Sequence, residues 1–238
     1  MLTERSKETR PDTKRPLILM VSDGTLVPPI WEYTQGIDCP VHIALVVSNK
    51  GNSKGLEFAA ARGIKTAVLE WNRERESRWE FSSRTGQFVC DALPESAKTD
   101  GQYLVVAAGW PVIMTKEFLQ WFGSGRVINL HRGLVSKDPQ DTELAIEGKR
   151  IKIVRGLYGM EMCKAVLNQK LEWTGSSVHF MTEDVDVGKV ILHGIFPVEE
   201  GDTVESLNEK IYREECKLVP KAIDIVVRGV RVLDTSCG

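Results

Sequence analysis

The order in which short apolar runs and helix-like stretches follow one another restricts this chain more than any other property. PLILMVS (16–22), HIALVVS (42–48), QYLVVAAG (102–109) and RVINL (126–130) are β-rich, nearly continuous in apolar residues, and run into Gly, Ser or Asn at their carboxyl ends. Runs of that kind suit strands buried on both faces of a parallel sheet. Between them, SKGLEFAAARG (53–63) reads as a helix with a glycine stop, and TKEFLQWFG (115–123) as a helix with a threonine cap. Strand-then-helix order with short connections predicts an α/β fold: a Rossmann-like, mostly parallel twisted sheet flanked by helices. Ligands of such sheets sit at the carboxyl ends of the strands, which directs attention to SDGT, SNKG, AAGW and NLHRG.

The second half changes character. Residues 136–155 are charged with little helical period and read as an excursion or lid. GMEMCKAVLNQ (159–169) reads as a helix, SSVHFMT (176–182) and KVILHGIFPV (189–198) as strands. A long helix is expected from Thr203, capped by Asp202 or Thr203, to Arg228, kinked or interrupted at Pro220. Residues 1–15 are almost wholly polar and read as a flexible tail, neither secretory signal nor transit peptide. Without repeats or a low-complexity linker, 16–238 is expected to form one domain with two lobes.

Several function classes are disfavoured by composition. With 31 basic and 33 acidic residues, the net charge of −2 produces no field that would gather nucleic acid or an anionic membrane. No apolar run approaches the ~20 residues that span a bilayer. The five cysteines, Cys39, Cys90, Cys163, Cys216 and Cys237, are odd in number and lack metal-like spacing, so a reducing, cytoplasmic setting is expected, with no metal.

Four sites could carry chemistry. Asn129 and His131 stand two apart at the end of a buried strand, so their side chains share a side. An amide could hold a developing oxyanion and an imidazole shuttle a proton, or the pair could be a turn asparagine beside a half-exposed histidine. The cluster Glu183-Asp184-Val185-Asp186-Val187-Gly188 offers carboxylates that could orient a histidine, or form a solvated turn; it lacks the ligands of a calcium loop. Glu215 falls on the stripe of Val204, Leu207, Ile211, Leu218 and Ala222, where a carboxylate needs a partner or a ligand such as sugar hydroxyls, unless it lies at the helix edge. Ser22-Asp23-Gly24-Thr25 could offer backbone N–H groups to an anion, although Asp23 opposes one and Pro28 and Pro29 lack donors. That loop does not match G-x-G-x-x-G, which argues against a dinucleotide. The six tryptophans are dispersed, and His179 between Val178 and Phe180 reads as structural.

Four segments together resemble the phosphoribosylglycinamide formyltransferase family. ALVVSNKGNSKGLEFAAARGI (44–64), LVVAAGWPVIM (104–114), INLHRGL (128–134) and TGSSVHFMTEDVDVGKVIL (174–192) are similar to its S-N-K/G-L-E segment, its folate loop, its N-I-H-P-S-L strand end and its T-G-x-T-V-H-F…D-x-G turn. The resemblance implies the formyltransferase fold, with a nucleotide-binding half over about 16–125 and a catalytic and folate half over about 126–230. It implies a catalytic trio of Asn129, His131 and Asp186, with Asp186 holding His131 as the imidazolium. The cosubstrate 10-formyltetrahydrofolate would lie against Gly109, Trp110, Val112, Ile113, Met114, Thr182 and Asp184. Glycinamide ribonucleotide would meet Gly24, Thr25, Leu26 and, through its ribose, Glu215. The implied reaction needs no metal and belongs to purine biosynthesis, in a monomer or homodimer.

The chain also departs from the family. SDGTLVPP replaces the longer S-G-N-G-S-N-L phosphate loop, so Leu26 stands where the family has asparagine; Val112 replaces an arginine, and Arg132-Gly133 replaces Pro-Ser. Lys50, Arg132, Lys149, Arg150 or Lys152 are then candidates for replacement charge. These departures keep open another acceptor, an amino sugar nucleotide or water, and a non-catalytic binding relative.

Overall fold

The computed structural model describes residues 14–157 and 159–229. Most of the expected tail, Tyr158 of the GLYGM segment and Cys237 lie outside the described residues, and Arg15 already belongs to a strand. A seven-stranded sheet is assembled from β1 (Arg15–Val21), β2 (Val41–Ser48), β3 (Lys65–Val68), β4 (Leu104–Ala107), β5 (Val127–His131), β8 (Trp173–Phe180) and β9 (Val190–Pro197). Its order is β3-β2-β1-β4-β5-β8-β9. The first five strands pair in parallel, and β8 and β9 add antiparallel pairs at one side.

The continuous apolar runs have the expected cause. Leu17, Leu19 and Val21 of β1 enter one core with α1 (Val27–Thr34), α2 (Lys54–Ala60) and the carboxyl half of α7 (Val204–Arg228). The alternate residues Ile18 and Met20 enter a second core with α3 (Arg78–Asp91), α4 (Glu95–Asp100) and α5 (Lys116–Leu119). A strand covered on both faces has no position for a polar residue. The capping box of Ser77 and Glu80 starts α3, a signal present in the sequence as S-x-x-E.

Two expectations are corrected. The segment 136–155 is not a featureless excursion: β6 (Glu143–Ile146) and β7 (Lys149–Lys152) form a hairpin. Glu147 and Gly148 both hold positive φ in its tight turn, and Ile151 and Ile153 pack with Leu134. Its charge belongs to the outward alternate positions. The second correction concerns α7, which is not interrupted at Pro220 but continues through it for 25 residues, from a Thr203 capping box to a left-handed Gly229. Proline deletes one interior hydrogen bond, whereas Leu207 and Ile211 hold one end against α6 (Met160–Asn168) and Ala222, Ile223 and Val227 hold the other on the main core.

Strand order reverses between β1 and β4: the chain moves outward from β1 to β2 and β3, then crosses to β4. Loops leaving those two strands at their carboxyl ends diverge and leave a crevice between them.

Candidate active site

A cavity of about 570 Å³ occupies that crevice. It is walled by the loop after β1, the loop after β4, the end of β5, the 181–186 turn after β8, and Glu215 from α7. All the residues singled out above for catalysis, cosubstrate and acceptor line it: Asn129, His131, Asp186, Gly109, Trp110, Val112, Ile113, Met114, Thr182, Asp184, Gly24, Thr25, Leu26 and Glu215.

At its centre, His131 Nδ1 lies 3.2 Å from Asp186 Oδ2. The Asp186 backbone has a φ of +55°, a conformation that short polar residues adopt more readily than others. The turn that presents it closes on Gly188, where a Cβ would sit 1.7 Å from the Phe180 carbonyl oxygen, so only glycine fits. Gly133 performs a similar service beside the histidine: a Cβ there would lie 2.9 Å from His131 Nε2.

Burial pushes the His131 imidazole below its ordinary pKa, and the attraction of Asp186 only partly opposes this. The expected pull of Asp186 toward the imidazolium is thus present, but within the cavity burial outweighs it. Burial also works to raise the Asp186 carboxyl, but the hydrogen bond from His179 and the charge of His131 outweigh it and hold the group below the usual carboxylate range. A carboxylate facing Nδ1 selects the tautomer with the proton on Nδ1, which leaves the lone pair on Nε2.

His179 is a further correction, because it belongs to the cluster. It stands directly across from Asn129 in the β5–β8 ladder, with Nε2 3.3 Å from Asn129 Nδ2 and 3.6 Å from Asp186 Oδ1. Its Nδ1 lies 3.0 Å from the Phe180 carbonyl oxygen, to which it donates. Nε2 of His179 therefore stands between the Asn129 amide and the Asp186 carboxylate and ties the two together. The V-H-F alternation carried no sign of this, since it arises from the pairing of strands 50 residues apart.

The other walls differ in chemistry. Trp71, Phe81 and Trp110 stack in a row, with centroids 5.8 and 6.3 Å apart, so these two tryptophans are not dispersed but brace the 109–114 loop. Trp110 Nε1 donates to Met114 Sδ across 3.2 Å. Thr182 Oγ1 donates to the Asp184 carbonyl at 2.9 Å and shapes the opposite turn. In the β1 loop, Gly24 packs on Gly55, and Asp23 is paired with Lys50. Leu26 turns inward, 4% exposed, in the same apolar cluster as Val27 and Ile30, so its side chain is core.

Glu215 is 1% exposed. Ser176 Oγ donates to Oε1 at 2.9 Å, and the Arg132 guanidinium donates from Nε to Oε1 at 3.1 Å and from Nη2 to Oε2 at 2.7 Å. Burial is thus matched by a bidentate partner, which the sequence offered only as one of several candidate charges.

An imidazole, an amide donor and a half-buried carboxylate at the switch point of a Rossmann-like sheet define an acid–base site suited to group transfer. The particular class follows from comparison with known proteins. The family model described as formyl transferase matches residues 14–223, and the chain belongs to that family. It is 29% identical over 220 residues to the trifunctional purine biosynthetic protein adenosine-3 of Bos taurus, covering 92% of this chain and 19% of that one. The chain thus spans about a fifth of the length of such trifunctional relatives. It is 27% identical over 216 residues to the phosphoribosylglycinamide formyltransferase of Dictyostelium discoideum, covering 88% of this chain and 96% of that protein. Glycinamide ribonucleotide transformylase 1 from Symbiobacterium toebii superposes with a TM-score of 0.70 at 26% identity, covering 92% and 90% of the two chains.

Proposed function

We propose that this chain transfers a formyl group from 10-formyltetrahydrofolate to the primary amine of glycinamide ribonucleotide, a step of purine biosynthesis. The observation that carries the proposal is the cluster of Asn129, His131, Asp186 and His179 facing one cavity. The relatives named for this reaction support the choice of substrates.

The amine nitrogen attacks the formyl carbon, and the carbonyl electrons pass to its oxygen. Asn129 donates an amide hydrogen to that oxygen. His131 accepts the amine proton at Nε2, and Asp186 stabilises the imidazolium as it forms. The imidazolium returns the proton to the folate nitrogen as the carbon–nitrogen bond to folate breaks. Gly133 keeps a side chain from crowding Nε2, since a Cβ there would lie 2.9 Å away. The pterin lies between the 109–114 loop and the 182–186 turn, whose backbone groups can pair with its ring edge.

Turnover of 10-formyltetrahydrofolate, followed by absorbance with and without glycinamide ribonucleotide, tests the proposal. Consumption that depends on the nucleotide and yields its formyl product is expected. Equal consumption without nucleotide indicates transfer to water, and silence in both with folate bound indicates another amine; either result overturns the assignment.

A further inference from the structure

Among the described residues, Arg132 is the one lysine or arginine lining the cavity, against the carboxylates of Asp23, Asp184, Asp186 and Glu215. An anionic acceptor entering so acidic a site needs that cation. The helix that follows β1 offers little in its place. The Val27 N–H is spent on the Gly24 carbonyl, Pro28 and Pro29 have none, and the Ile30 N–H goes to the Leu26 carbonyl. The Asp23 carboxylate stands beside what remains.

Arg132 is fixed but not exhausted. A guanidinium has five N–H donors; Nε and Nη2 each give one to Glu215, and Nη1 gives one to Asn208 Oδ1 at 2.7 Å. Two therefore remain, one on Nη1 and one on Nη2. Both residues line the cavity, but the Arg132 side chain is 26% exposed and that of Glu215 1%, so the arginine is the more open of the two to an entering ligand. Three of the carboxylate's lone pairs are already taken by Arg132 and Ser176.

We propose that Arg132 is the acceptor-recognition residue of this chain, receiving an oxyanion of the acceptor, phosphate or carboxylate, on its two remaining N–H groups. Glu215 and Asn208 act as positioning residues that fix the guanidinium at the cavity wall, and Glu215 does not take sugar hydroxyls. The inference rests on the formyl-transfer reading only in treating this end of the cavity as the acceptor's. With glycinamide ribonucleotide as acceptor, the oxyanion is its phosphate.

Replacing Arg132 alone would leave Glu215 buried without its partner and endanger folding. The test therefore uses the double variant Arg132→Gln with Glu215→Gln, which orphans no charge, beside Arg132→Lys. In the double variant the KM for glycinamide ribonucleotide should rise about 10- to 100-fold, the scale of lost charge-assisted hydrogen bonds. Its kcat and its KM for 10-formyltetrahydrofolate should change little. Inorganic phosphate should inhibit the wild type competitively against the nucleotide and lose that effect in the double variant, with Arg132→Lys between them. An unchanged nucleotide KM with phosphate inhibition intact overturns the proposal and returns the phosphate to the loop after β1.

Should the wild type not use this nucleotide, calorimetric titration with inorganic phosphate and with acetate separates the two questions. Binding of either ion that the double variant lacks upholds Arg132 and identifies the oxyanion, although the assigned acceptor is wrong. Binding of neither, or equal binding by both proteins, overturns it.

Discussion

At the level of single residues, the site depends on how burial and a neighbouring carboxylate divide control of one imidazole. Burial lowers the His131 pKa and Asp186 raises it, with burial prevailing. Asp186→Asn is the informative substitution, because asparagine tolerates the positive φ at this position while removing the charge. Its kcat should fall by about 10²- to 10⁴-fold with folate affinity kept. The sign of the accompanying pH effect follows directly. A base works above its pKa, and loss of a negative neighbour lowers the pKa of His131. The acid limb of kcat/KM should therefore move to lower pH in the variant, as a pH–rate profile would show. A limb that stays in place would mean that another group sets it.

The elements meet at contacts where single atoms decide. The loop after β1 rests on the first turn of α2, where the Gly55 N–H donates to the Asp23 carbonyl at 3.0 Å. A Cβ at Gly55 would lie 2.6 Å from the Gly24 Cα and 3.0 Å from Val27 Cγ2. In an unconstrained helix, Gly to Ala stabilises by about 0.5–1 kcal/mol. Here Gly55→Ala should instead destabilise by about 1–3 kcal/mol, the cost of overpacking, and displace the loop from the cavity. Urea denaturation checks the sign, and a gain in stability would show that the two elements separate freely. The same close approach explains why the G-L-E segment was readable as a motif: the glycine is a contact between two elements, not a helix signal.

For the molecule as a whole, buried histidines shape the response to acid. His193 in β9 shares a hydrogen bond with the Ser177 hydroxyl at 2.9 Å, and burial pushes its pKa down to about 4. The unfolded chain binds a proton near the ordinary value of about 6.5 while the native protein does not. Stability should therefore be full above about pH 6.5, fall as pH drops, and level off for this group near 4. The loss attributable to His193 is on the order of 3 kcal/mol, and His131 adds to it with the same sign. Urea midpoints measured from pH 7 to pH 4 should show this fall, with a shallower slope in His193→Gln. An unaltered slope would place the acid sensitivity elsewhere.

The parallel half of the sheet was legible in the residues because strands buried on both faces must be apolar throughout, and that pattern survives in a linear reading. Asn129 and His131 were legible for a related reason, since alternation along one strand settles which side chains share a side. The β6–β7 hairpin was hidden by its charged outward positions, and the continuity of α7 through Pro220 by packing on both sides of the proline. His179 beside Asn129 and Arg132 on Glu215 could not be read at all. Each pair joins residues 50 or more positions apart, through an antiparallel register in one case and a helix crossing in the other. Local composition encodes burial and period, whereas the partner of a buried polar group is chosen only when distant segments are brought together.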